Sequence, residues 1–421
     1  MKKTHGLRSQ AGLMAGILIV FVLLACQKEE ASSPNPFLPS QELLGSYDRR
    51  FKECLQLATA ELGKEVMRYE AIRPGLLPKK ISIEATHYEL GYLLGRINQA
   101  RFGFLQPGRT AENEAINQQI EQMYLELYPP YLELLRGVAE ARGLTLDELD
   151  LRYMEHEYFM GSWWYLFNYQ KFLDETDFSC SLASYYLENE GRHLVGRNFD
   201  NQSDRPHFLV NTKMEGSYQV LGNSCYMPYH WVTDGMNEKG LFIGVSTNGN
   251  PARYNQKEGY AYPEVPAVQV IHMVRIALET CATVEEAAAL FQSVRIWFPE
   301  EFNHLLLADA GGDAAVLEWD PDKNAHVFRR DKPYLLLTNT AYLEGLDFVE
   351  SNCSRYRKAK PMLEAGIGDI GQLLDVMEAI RFTSGETRTL WTAMFDLPSL
   401  EMDVWYRAEG FEVGHGEGIK E

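Results

Sequence analysis

Near Asp177 the chain changes its hydrophobic period, and that switch limits the architectures open to it. Before it, apolar residues recur three and four apart over 47–69, 90–102 and 113–141, the spacing of amphipathic helices. After it come short alternating runs at 181–187, 193–199, 208–214, 218–222 and 241–246, the spacing of half-buried strands. Helical spacing returns at 268–279 and, behind a capping box of Thr283 and Glu286, at 284–292. Strands are then expected at 303–308, 314–319 and 334–337, helices at 355–365 and 371–380, and a terminal strand pair at 389–396 and 402–406. Strands, then helices, then strands again is the order that an antiparallel sheet pair covered by helices produces. In the earlier region Thr145 and Glu148 form another capping box and predict a helix running towards Tyr158. The aromatic run 163–167 reads as a packing band that docks the helical region onto the strands.

Residues 1–25 carry Lys2, Lys3 and Arg8 ahead of an apolar run, 11–25, that is too short to span a bilayer and fits a secretory leader. The run ends in Leu23-Leu24-Ala25-Cys26, the pattern of a bacterial lipoprotein, so Cys26 is the expected lipidation site; an ordinary N-terminal anchor is the alternative, and either exports the protein. A polar, Pro/Ser-rich stretch, 26–45, follows as a tether to the cell-envelope membrane. Loss of three leader cations from a net charge of −19 leaves −22, which argues against nucleic-acid partners and leaves the lipid as the membrane contact. Cys54, Cys180, Cys225, Cys281 and Cys353 show no C-x-x-C pair and are odd in number, so no metal or redox motif is expected. Cys225, Cys281 and Cys353 read as core residues, the histidines lack ligand spacing, and 309–313 reads as a hairpin turn.

The chemistry gathers in Cys180 to Asp200, CSLASYYLENEGRHLVGRNFD, two alternating runs around a polar turn. A hairpin centred on residue 190 sets Asp200 opposite Cys180 and sends Arg197 to the other face unless a bulge turns it back. A free thiol is only a few per cent ionised at neutral pH and needs a base. Cleavage between Ser179 and Cys180 supplies one, the new α-amine on the same residue, with Asp200 to hold the ammonium and Arg197 to steady the thiolate. The competing reading is a structural cysteine beside an Asp–Arg salt bridge.

That stretch resembles the mature N-terminus of choloylglycine hydrolases and penicillin acyltransferases, where a cysteine precedes a hairpin ending in G-[RQ]-N-x-D. Asp234 to Leu241, DGMNEKGL, resembles a segment of the choloylglycine hydrolases; Leu337-Thr338-Asn339-Thr340 resembles their later TN motif, and Ser354-Arg355-Tyr356 their S-R-[FY] motif. Upstream, ATHYELGYLLG from Ala85 and LLRGVAEARGLTLDEL from Leu134 resemble the acyltransferase branch.

The resemblance implies an α+β fold, the four-layer αββα sandwich of N-terminal-nucleophile hydrolases over 180–421, preceded by a helical segment over 46–179 that stays associated after cleavage. It implies Cys180 as nucleophile, Asn339 as an oxyanion donor and Arg355 as a site cation, with Thr247 or Asn248 in the place of a second site asparagine. Ser179 stands where the acyltransferases usually have glycine. The expected activity is cofactor-free cleavage of a linear N-acyl amide through a thioester, with acyl transfer to an amine, or a non-enzymatic surface lipoprotein, as the alternatives. Residues 227–231 are taken as one wall of the substrate pocket.

Overall fold

The computed structural model describes residues 41–72, 79–102, 108–152, 179–202, 207–225, 232–248, 262–298, 303–383, 387–408 and 411–419. The leader, Cys26, the tether as far as residue 40, the aromatic run 163–167 and the wall at 227–231 lie outside them.

Helix α1 (Gln41–Leu62) is followed by strands β1 (Met67–Ala71) and β2 (Lys79–Ala85) and by helices α2 (His87–Phe102), α3 (Glu114–Leu127) and α4 (Pro129–Ala141). The expected helix over 47–69 stops at Leu62 because Gly63 takes a φ of +68°. The single helix expected over 113–141 is two, because Pro129 forces Tyr128 out of the helical region, to φ −161° and ψ 79°. The Thr145 and Glu148 box closes the 3-10 turn Leu146–Glu148, with Glu148 accepting from Thr145 N–H and Oγ1 at 2.8 and 2.9 Å; the rest of the helix expected towards Tyr158 lies outside the described residues beyond Arg152.

The second region begins with β3 (Ser179–Leu187), β4 (Arg192–Gln202), β5 (His207–Met214), β6 (Val220–Cys225), β7 (Val232–Asn237) and β8 (Phe242–Thr247). A short strand β9 (Val268–Gln269) leads into α5 (Val270–Thr280) and α6 (Val284–Ser293), then β10 (Ile296–Trp297). Strands β11 (Asn303–Ala308), β12 (Ala314–Trp319), β13 (Ala325–Arg329) and β14 (Tyr334–Leu337) follow. Helices α7 (Leu346–Asn352), α8 (Ser354–Glu364) and α9 (Ile370–Ala379) then precede β15 (Thr387–Asp396), β16 (Glu401–Ala408) and β17 (Phe411–Gly418).

Two large sheets result, one in the order β1-β2-β5-β6-β7-β8-β11-β12-β13, the other β14-β3-β4-β15-β16-β17. They face each other: Leu182 of β3 fills the space over Gly244 of β8, and Phe242 meets Phe395 with ring centroids 4.8 Å apart. Helix α9 covers the outer face of β4 and β15, while α5 and α6 cover the other sheet, giving the αββα layering that the resemblance implies.

The N-terminal region is not purely helical, which corrects the expectation for 46–179. Ile81, Ile83 and Ala85 alternate inwards along β2, which pairs in parallel with β5 from Lys79↔Phe208 to Ala85↔Met214 and brings β1 into the larger sheet. Residues Gly45–Glu421 therefore form one compact unit with no division at the Ser179–Cys180 bond.

Helices α2 and α4 cross with backbone against backbone, which only glycine permits. A Cβ on Gly91 would lie 1.9 Å from the Leu134 carbonyl oxygen, and one on Gly137 2.2 Å from that of Tyr88. Since no flexible side chain can yield there, Gly91→Ala is expected to cost about 3 kcal/mol or more, read as a lower denaturant midpoint at unchanged slope.

A buried polar cluster ties these helices to α5. Glu279 accepts from Arg275 Nε at 2.6 Å and from the Tyr128 hydroxyl, with His87 Nε2 3.3 Å away, and all four side chains are buried. Burial pushes the Glu279 carboxyl up, but Arg275, His87 and Tyr128 outweigh it and hold it at about 2. A depressed carboxyl contributes stability above its unfolded value, about 4.5, and loses it as pH falls through its folded value. The wild type is therefore expected to lose unfolding free energy between pH 4.5 and about 2, and Glu279→Gln to show a flatter curve across that window by denaturant titration.

Candidate active site

Cys180 enters β3 as its second residue, 2 % exposed, between the two sheets. The register pairs Cys180 with Phe199 and Ser179 with Asp200, one residue off the sequence-based expectation. Leu187↔Arg192 is the last pair, and Gly191 at φ +62° closes the loop, so the hairpin is centred between 189 and 190. A one-residue shift exchanges faces. Arg197 thus shares the face of Cys180 with no bulge in the hairpin, and Asp200 falls on the opposite face. The register shift that does occur lies on the far side of β4, between Thr389 and Trp391 of β15.

On the inter-sheet face, Arg197 is fully buried and donates through Nη2 to Cys180 Sγ at 3.3 Å and through Nη1 to the Val245 carbonyl. Its guanidinium lies over the Phe199 ring, 5.2 Å from the centroid. On the helix-covered face, Arg355 in the first turn of α8 gathers the groups around Cys180. It donates to the Cys180 carbonyl at 2.7 Å, Ser181 Oγ at 2.8 Å, Asp200 Oδ2 at 3.2 Å and Asn339 Oδ1 at 2.5 Å. Asp200 has no exposed surface and also accepts from Thr389 Oγ1. Cys180 therefore sits between two arginines, one on each face of the sheet.

These surroundings set the protonation states. Burial pushes the Cys180 thiol up; Arg197 and Arg355 oppose that, and the Asp200 charge adds to it. A thiol raised in this way needs a proton acceptor before it can attack. Burial likewise lifts Asp200 to about 6, against the pull of Arg355, Thr389 and Arg197.

Asn339 follows β14 and touches Cys180 differently from the expectation. Its Oδ1 accepts from Cys180 N–H at 2.7 Å, and its Nδ2 donates to the Thr247 carbonyl at 2.8 Å and Ser246 Oγ at 3.3 Å. Here it anchors the Cys180 nitrogen through its oxygen, while its amide hydrogens are taken by Thr247 and Ser246. The side chain of Asn248 is not brought to the thiol: it is buried and donates to Glu318 Oε1 at 2.9 Å. The expected second asparagine is corrected on this point: directly after β8, the Asn248 side chain is held by Glu318 of β12. Thr247 instead contributes its carbonyl, as the acceptor for Asn339.

Sequence reasoning missed Thr389, which caps Asp200, and Ser181, which binds Arg355. Nothing local in the sequence marks Thr389, since its pairing with Asp200 spans the whole domain. Among the described residues no cluster of three His, Cys, Asp or Glu side chains suits a metal ion.

Two facing sheets between helical layers, with a cysteine at the head of a central strand, define the class of N-terminal-nucleophile hydrolases. The chain matches the family model described as acyl-coenzyme A:6-aminopenicillanic acid acyl-transferase over residues 187–409, more than half its length, and belongs to that family. The match spans Arg197, Asp200, Asn248, Asn339 and Arg355 and begins downstream of Cys180. Among solved structures, the penicillin V acylase from Agrobacterium tumefaciens is similar at 18 % identity and a TM-score of 0.44, covering 57 % of this chain and 86 % of its own. Two forms of the conjugated bile acid hydrolase from Clostridium perfringens are similar at 18 % identity and TM-scores of 0.41, covering 58 % and 57 % of this chain and 97 % of theirs. No curated protein matches the chain in sequence.

Proposed function

We propose that this protein is a self-processing cysteine hydrolase of linear N-acyl amides, exported and held at the cell-envelope membrane by lipid on Cys26. The observation that carries the reading is the placement of Cys180. Its thiol meets Arg197, its N–H meets Asn339, and its carbonyl meets Arg355. In maturation Sγ attacks the Ser179 carbonyl carbon, the C–N bond to Cys180 breaks as the nitrogen takes up the thiol proton, and water cleaves the resulting thioester. The products are a chain ending in the Ser179 carboxylate and a free α-amine on Cys180. In turnover that amine accepts the thiol proton, Sγ adds to the substrate carbonyl, and the proton passes to the departing amine. Water then resolves the acyl-thioester and the thiol is restored. Capture of the same thioester by an amine is the second reading, favoured by the acyl-transferase description of the family.

Intact mass and N-terminal sequencing of the leaderless wild type test the maturation step, and release of free amine from a panel of N-acyl amides tests turnover. A fragment beginning at Cys180 with amide turnover is expected; an uncut, inactive chain returns the protein to the non-enzymatic lipoprotein reading.

A further inference from the structure

Arg197 is a fully buried cation, and its thiol partner is neutral at rest, so its compensating charge lies elsewhere. The carboxyl nearest to it is that of Asp234 of β7, in the facing sheet, whose Oδ1 lies 3.2 Å from Arg197 Nε; burial pushes this carboxyl up, while Arg197, Asn223, Trp391 and Thr233 favour its anion. The angle there is too poor for a hydrogen bond, so the contact is an ion pair. Asp234 is itself fixed from three sides. Asn223 Nδ2 donates to Oδ2 at 2.6 Å, and Trp391 Nε1 and Thr233 Oγ1 each donate to Oδ1 at 3.1 Å. The Asn223 amide is fixed in turn by the Tyr406 hydroxyl, 2.6 Å from its Oδ1. Trp391 stacks on Phe199 at 4.0 Å and 2°, and Phe199 is the ring on which the Arg197 guanidinium rests. Carboxylate, indole, phenyl ring and guanidinium thus form one packed assembly ending at Sγ.

We infer that Asp234 is a positioning residue of this enzyme: it fixes the plane of the Arg197 guanidinium so that Nη2 faces the Cys180 thiol. The inference rests on the reading of Cys180 as nucleophile. Its physical basis is that a bare guanidinium, buried without a counter-ion, turns towards whatever anion or water it can reach. The charged or titratable groups facing the thiol are Arg197, Asp200 and Arg355, and those around Asp234 are Arg197, Tyr406 and, against Trp391 and Tyr406, the ring of His207. Asp234→Asn keeps the volume but sets an amide N–H₂ against donors on one side and removes the counter-charge on the other.

The test is the pH profile of iodoacetamide alkylation, read by mass spectrometry at the peptide carrying Cys180, together with kcat and KM on an N-acyl amide. Loss of a negative charge alone would lower the thiol's midpoint, so a rise reads the swing of Arg197 away from Sγ: Asp234→Asn is expected to move the midpoint up by about one pH unit, slowing alkylation about tenfold at pH 7, and a lowered midpoint overturns the inference. It is also expected to lower kcat by roughly 10- to 100-fold with KM within about twofold, the pattern of a lost transition-state interaction. An alkylation profile superimposable on wild type overturns the inference. If Asp234→Asn does not fold, Trp391→Phe decides the matter, since it removes one donor that fixes Oδ1 while keeping an aromatic ring against Phe199; an undisplaced midpoint there overturns it too. Cys180→Ala measured alongside separates the two readings. Turnover surviving in Cys180→Ala sinks the nucleophile assignment itself, whereas an inactive Cys180→Ala beside a wild-type-like Asp234→Asn sinks only the role of Asp234.

Discussion

Cys180→Ala is expected to remain one polypeptide and to lose roughly 10⁴-fold or more in amide turnover, the scale seen when a covalent nucleophile is removed. Both losses have one origin. The side chain that would open the Ser179–Cys180 bond is the one that would carry the acyl group, and Arg197 Nη2 addresses its sulfur in the uncut chain. Alanine fits the same buried strand position, so the fold is expected to persist; Arg197 keeps Val245 and Asp234 as partners. Intact mass, a melting curve and an amine-release assay on one preparation decide the outcome. A variant that still splits at residue 180 locates the cleaving group elsewhere, for instance in a contaminating protease. Cys180→Ser distinguishes further: a hydroxyl with the same reach is expected to cleave slowly and turn over poorly, because its oxygen is far harder to ionise in a site where even the thiol is pushed up by burial.

The elements around Cys180 were legible in the sequence because their periods are clean. Asn303–Ala308, Ala314–Trp319 and Tyr334–Leu337 form where alternation places them, and all three are nearly all buried. What escaped has a physical pattern. Strand β7, VTDGMN, contains Asp234, Gly235 and Asn237, residue types depleted in strands, yet it is buried throughout, since Asp234 is carried between the sheets as a partner for Arg197. Strand β17, FEVGHGEG, has three glycines in eight residues and is held by its ladder to β16. Strand β2 does alternate, but its partner β5 lies far downstream, a non-local pairing invisible to any window. The site shows the same division. Arg197, Asp200, Asn339 and Arg355 were found by motif and do converge on Cys180. Their arrangement was not, because a hairpin centre misplaced by half a residue exchanges the two faces of a strand. The face assignment decides the chemistry: Arg197 is placed to act on sulfur, whereas Asp200 acts from behind the backbone through Arg355.

Arg355→Ala should therefore damage stability and chemistry together, and pH separates the two. The wild-type guanidinium makes four bonds, to the Cys180 carbonyl, Ser181 Oγ, Asp200 and Asn339. Its removal leaves the Asp200 carboxylate, with no exposed surface, paired only with Thr389 and the more distant Arg197 charge. Orphaning one member of a buried ion pair costs about 3–5 kcal/mol. The cost has a pH dependence of known sign. Burial already lifts Asp200 from 3.8 to about 6, which makes its ionised form the unfavourable one in the fold, so its contribution to stability falls as pH rises across that range. Without Arg355 the lift is larger and the fall extends to higher pH. The stability deficit of Arg355→Ala relative to wild type should hence be greater at pH 8 than at pH 5, by denaturant titration at each. Turnover should follow, with a wild-type acid limb near pH 6 that moves to higher pH in the variant. Arg355→Lys, which keeps the charge but cannot hold Asn339 and the Cys180 carbonyl with one planar fork, should restore most of the stability while leaving kcat at least about tenfold low. A deficit independent of pH, with an unmoved acid limb, would mean that Arg355 only ties α8 to β3 and takes no part in setting the charge at the nucleophile.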